Sequence, residues 1–100
     1  LIAFLDSDDE FLPHKLGFVV EFFRQHPEVD ILIDSFEITY PPSHSRPPMR
    51  RVNPNLSDNK QILEGIYARR ISKATPALTV RRAALLAAGL FDESLGRRQD

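Results

Sequence analysis

The chain has 100 residues, 42% of them hydrophobic and 27% charged, with a formal net charge of -1 at pH 7. That length holds at most one small domain with a modest core, and the near-neutral balance supplies no basic field for nucleic acid. The absence of cysteine excludes disulfides and thiolate metal sites, and no apolar run approaches the roughly 20 residues of a membrane span.

Residues 1–5 are a continuous apolar run, the pattern of a strand buried on both faces. Four acids follow at once: Asp6, Asp8, Asp9 and Glu10, interrupted only by Ser7. Pro13 then suits the first turn of a helix, where its missing N–H costs nothing. Leu12, Leu16, Val19, Val20 and Phe23 recur at helical spacing and predict an apolar stripe. His26 and Pro27 end that helix. Residues 29–40 read as a second strand, buried on both faces in its first half and alternating in its second, with Phe36, Ile38 and Tyr40 on one side. The first and second strands are expected side by side in one sheet, with the helix packed over them.

Residues 41–56 hold five of the eight prolines, a density that predicts a long loop with no regular element. A short helix follows, with Asp58 and Gln61 as a capping box and Ile62, Leu63, Ile66 and Tyr67 as its apolar face. TPALTV predicts a strand, with Pro76 near its start or on a sheet edge. RRAALLAAG predicts a helix that Gly89 stops in the left-handed conformation. Arg81 and Arg82 fall at that helix start, an unfavourable place for cations. The tail LFDESLGRRQD is polar and turn-rich. Alternating strands and helices give an α/β class. The chain opens inside an apolar run without Met and ends at Asp100 with no closing element, which reads as a piece of a longer protein.

Crowded carboxylates at the end of a strand call for a reason, because like charges repel. In open α/β sheets ligands bind outside the carboxyl ends of the strands. A solvated acidic turn leading into a helix N-terminus is one reading, favoured there by the helix dipole. A calcium loop of the EF-hand type is excluded: it needs glycine sixth and glutamate twelfth, and counting from Asp6 those places hold Phe11 and Gly17. The DSDD acids also resemble the D-x-D start of haloacid dehalogenase-like phosphatases, with Asp6 as nucleophile. There the fifth position departs, being Glu10, and the downstream lysines Lys60 and Lys73 lack the family's setting. A third reading is a hard cation bridging the phosphates of a nucleotide-diphosphate sugar, which oxygen ligands suit.

Three segments carry a broader resemblance. IAFLDSDDEFLPHKL, FFRQHPEVDILIDSF and KATPALTVRRAALLAAGLFDESLGRRQD, in this order, resemble family 2 glycosyltransferases of the GT-A fold across most of the chain except the proline-rich loop. The resemblance implies a Rossmann-like, mixed and mostly parallel sheet with flanking helices, here a partial domain. The N-terminal nucleotide-binding strands and the C-terminal acceptor region would lie outside it. It implies an enzyme that transfers a sugar from a nucleotide-diphosphate donor, UDP being commonest, to the hydroxyl of a saccharide or other acceptor, with inversion and assisted by Mn²⁺ or Mg²⁺. Asp6 and Asp8 match the acids of the D-x-D motif that contact donor and metal, Asp8 being the expected metal ligand and Asp9 the neighbour able to replace it. Asp100 matches the acid of the family's E-D or Q-D motif, the general base on the acceptor hydroxyl; Gln99 stands where glutamate is commoner. No nucleic-acid partner and no membrane span are implied, and the expected location is the cytoplasm or the inner face of a membrane. A catalytically inactive nucleotide-sugar binding module is the alternative within the same family. His14, His26 and His44 share no ligand spacing and read as surface or capping residues.

Overall fold

The structure, a computed structural model, describes residues 1–95. Its elements are β1 (Ile2–Ala3), α1 (Lys15–Gln25), β2 (Ile31–Ile33), β3 (Phe36–Ile38), β4 (Met49–Arg51), α2 (Asn59–Tyr67), a 3₁₀ turn (Thr75–Ala77), β5 (Leu78–Val80) and α3 (Arg82–Ala87). This is a small mixed α/β arrangement, as the alternation of patterns predicts.

The sheet differs from expectation in one respect. β1 and β2 share a sheet, but β5 lies between them, in the order β1-β5-β2. β5 is antiparallel to both: Ile2 and Ile31 both face Val80, and Ala3 and Leu32 both face Thr79. The two outer strands therefore run in the same direction, roughly 10 Å apart at the usual strand spacing. Every pairing among the described residues is antiparallel, where a mostly parallel sheet was expected. A chain read in order shows which strands a helix joins, but not that a later strand will slot between them. Thr79, at the centre, is fully buried, and Val80, Ala77, Val19, Phe23 and Ile71 make up the apolar core.

The helix α1 crosses over β5. Lys15 at its start touches the Pro76 carbonyl, and Phe23 and His26 at its end touch Arg81. Both spans agree: from 15 to 26 a helix rises about 16 Å, and from 76 to 81 an extended chain advances about 16 Å. The buried face is Lys15, Val19 and Phe23, spaced by four. Only part of the predicted stripe goes inward, since Leu12, Leu16 and Val20 are all more than half exposed. Apolar residues ring this helix, so periodicity alone does not select the face; the anchors at its two ends do.

The second predicted strand breaks at Asp34 and Ser35. Its alternating half becomes β3, which pairs with β4 in a separate two-stranded sheet. β4 lies inside residues 41–56, where no regular element was expected. Prolines there occupy the positions flanking the strand, and Met49–Arg51 is free of them. Nor is the first half of that strand buried on both faces, since Ile31 is exposed. The predicted apolar face of α2 is covered only in part, since Leu63 and Tyr67 are exposed, and Pro13 precedes the His14 N-cap of α1 rather than lying in its first turn. Three signals confined to single turns hold. Asp58 Oδ1 accepts the Gln61 backbone N–H at 2.8 Å. Pro76 starts the 3₁₀ turn just before β5 rather than lying on an edge. Gly89 adopts φ 88°, with the Gly89 N–H on the Leu86 carbonyl and the Leu90 N–H on the Leu85 carbonyl, the paired bonds of a Schellman stop.

Candidate functional site at the carboxyl end of the sheet

Because β1 and β2 run the same way in register, their carboxyl ends emerge together. Asp6 follows one and Asp34 the other, and the 3₁₀ turn that feeds β5 lies between them. The acidic segment is a turn closed by the Asp9 N–H on the Asp6 carbonyl at 3.2 Å. Asp6, Asp8, Asp9 and Glu10 are all exposed, and none forms an ion pair among the described residues. The turn is tied down on both sides. Before it, the Phe4 N–H reaches the Leu78 carbonyl. After it, Phe11 lies beneath Lys15, the ammonium 4.9 Å from the ring centroid.

Lys15 joins the three chain ends. Its Nζ donates to the Pro76 carbonyl at 2.5 Å and lies 2.8 Å from Asp34 Oδ2. It meets that oxygen off the hydrogen-bond direction, so the contact is an ion pair rather than a hydrogen bond. Asn53 secures the other side. Its Nδ2 donates to the Asp34 and Ser72 carbonyls, its Oδ1 accepts the Ser72 N–H, and its own N–H donates to Ser35 Oγ. An amide used this fully fixes the end of β2 against two distant segments. Sequence reading missed Lys15, Asp34 and Asn53. The only signal for them was polar residues placed where strands and helices end.

The chain returns to this end after α3. Phe91 meets Phe4 edge-on, with ring centroids 5.4 Å apart. In the turn that follows, Ser94 donates its hydroxyl and backbone N–H to Asp92 Oδ1 at 2.6 and 2.9 Å. Those two bonds hold the Asp92 carboxyl below the usual carboxylate range. Asp100, with Gln99 beside it, lies outside the described residues.

Among the described residues, no group of three or more histidine, aspartate or glutamate side chains is arranged to hold a metal ion. The donor chemistry nonetheless fits a hard cation: Asp6, Asp8 and Asp9 offer only oxygen, within one four-residue turn. Two concavities lie elsewhere. One of about 430 Å³ is bounded by Pro54, Leu56, Gln61, Glu64, Gly65, Arg70 and Ile71, and one of about 360 Å³ by Tyr40, Arg46, Pro47, Pro48 and Met49. Neither includes a residue of the acidic turn. The histidines serve locally: the His26 N–H caps α1 on the Phe22 carbonyl, and His44 stacks on Tyr40. No helix among the described residues is long and apolar enough to cross a membrane. No protein-family model, curated protein or solved structure matches the chain.

Proposed function

We propose that this chain is the donor- and metal-binding part of a glycosyltransferase of the GT-A class, transferring a sugar from a nucleotide-diphosphate donor to an acceptor hydroxyl with inversion. The observation that carries the reading is the meeting of two segments at one end of the sheet. The acidic turn leaves β1 there, and the Phe91 segment, which leads toward Asp100, is pinned beside it on Phe4. A donor-binding acid and a base on the acceptor must face a single bound sugar, and the return of the chain through Phe91 to the end where the acidic turn lies supports that reading.

In this reading Asp6 contacts the nucleotide or its ribose, and Asp8, with Asp9 beside it, holds Mn²⁺ or Mg²⁺. A divalent cation there supplies charge neutralisation for the diphosphate as it leaves. Three or more carboxylates around one ion would not be required, because a bound diphosphate would supply oxygen ligands of its own. Exposure of the acids suits that role, since a ligand brings its own oxygens to an open turn. Asp100 takes the proton from the acceptor hydroxyl, for which it must come within about 3 Å of that oxygen.

The metal assignment is tested by calorimetric titration of Mn²⁺ and a UDP-sugar into the protein that carries this chain. Asp8→Asn should weaken donor binding in the presence of Mn²⁺ by roughly 10-fold or more and leave metal-free binding nearly unchanged. Equal donor affinity for the variant and the parent, with Mn²⁺ present, removes Asp8 as the ligand.

A further inference from the structure

The hairpin of β3 and β4 sorts its side chains by charge as well as by face. Phe36 stands opposite Arg51 and Ile38 opposite Met49, while Glu37 stands opposite Arg50. Directly opposed residues share a face and alternate residues do not. One face therefore carries Phe36, Ile38, Met49 and Arg51, of which Met49 and Arg51 are exposed and Phe36 and Ile38 half-buried, and the other carries Glu37 and Arg50. The acid lies on the second face, where Glu37 Oε2 accepts the Arg50 Nε–H at 3.0 Å. On the first face Arg51 has no carboxylate partner among the described residues, and the same is true of Arg46. The Arg46 guanidinium lies 6.0 Å from the centroid of the Tyr40 ring, and both border a concavity with Met49. From residue 38 to residue 57 the chain has three arginines and no aspartate or glutamate.

Uncompensated guanidinium groups beside an exposed methionine and a half-buried tyrosine ring match the chemistry of a phospholipid interface. Phosphate oxygens take guanidinium donors, and tyrosine settles at headgroup depth. A side chain such as Met49, 41% exposed, meets the acyl boundary. A free anion would engage the arginines alone and leave the exposed Met49 without a role. We propose that this hairpin face docks the protein reversibly on an anionic membrane surface. Two arginines give a shallow attraction, so the contact is weak and salt-sensitive. It stands apart from the sugar-transfer reading and does not depend on it.

The test is co-sedimentation of the protein with vesicles of phosphatidylcholine alone, and of phosphatidylcholine with about 30% phosphatidylglycerol, at about 0.1 M salt. Binding is expected with the anionic vesicles only. The double variant Arg46→Glu, Arg51→Glu should reduce that partitioning by roughly 10-fold or more, whereas Arg50→Gln, on the other face, should change it far less. All three arginines are exposed, and an unchanged circular dichroism spectrum confirms that each variant folds. Equal partitioning into both vesicle types overturns the proposal, as does an Arg50→Gln loss matching that of the double variant. Release of the protein by inorganic phosphate at constant ionic strength also overturns it, since that marks a site for a free anion.

Discussion

Lys15 carries three contacts with one ammonium group. It pairs with Asp34, bonds the Pro76 carbonyl and covers Phe11, so it links the loop after the acidic turn to the ends of β2 and β5. Both members of the pair are largely shielded, with side chains 15% and 18% exposed. Removing one partner leaves the other charged and poorly solvated, which costs more than the pair gains when intact. Lys15→Met should therefore lower stability by about 2 kcal/mol, read from the midpoint and slope of urea unfolding. In an Asp34→Asn background the same substitution should cost clearly less. Equal costs in both backgrounds would show that the ion pair contributes nothing. Neither residue was legible as a partner in the sequence. They lie 19 positions apart, and only the turn of the chain after each strand brings them together.

Element ends decide much of this fold. The last carbonyls of α1 have no helical partner, and Arg81 supplies one from beyond β5. Its guanidinium donates to the Phe23, His26 and Val29 carbonyls at 2.7–3.0 Å and lies 5.0 Å from the Phe23 ring centroid. From its place in the sequence Arg81 was expected to be an unfavourable cation at the start of α3. Its side chain instead reaches the C-terminal end of α1, where the helix dipole favours positive charge. Arg81→Met keeps the stem but leaves these carbonyls without the donor, and should cost about 2–3 kcal/mol by thermal or urea unfolding. A loss below about 0.5 kcal/mol would reassign the docking of α1 to its buried Val19 and Phe23 alone. Signals confined to one turn, such as Asp58 at an N-cap and Gly89 at a stop, were legible because the residue and its partner are neighbours. The buried face of α1 was not, because Leu12, Leu16, Phe18 and Val20 would serve as well as Val19 on hydrophobicity alone. The strand β4 was hidden by flanking prolines whose rigidity limits the ends of a strand without preventing its three central residues.

At the scale of the whole molecule, the α/β class and the acids at the end of β1 could be read from residue order, because an apolar run followed by charge marks a strand meeting solvent; the expected burial of residues 1–5 on both faces fails, since β1 is an outer strand with Leu1 and Leu5 exposed. The strand order could not, since β5 enters between β1 and β2 only through pairing some 45 residues or more away in sequence. The central proposal rests on two acids from opposite ends of the chain serving one bound sugar. The measurement that tests it most directly pairs donor binding by calorimetry with turnover, in the protein that carries this chain, for Asp100→Asn. A base that acts on the acceptor should leave donor affinity within about 2-fold and lower turnover by roughly 10²–10⁴-fold. Near-normal turnover with unchanged donor binding would contradict the account.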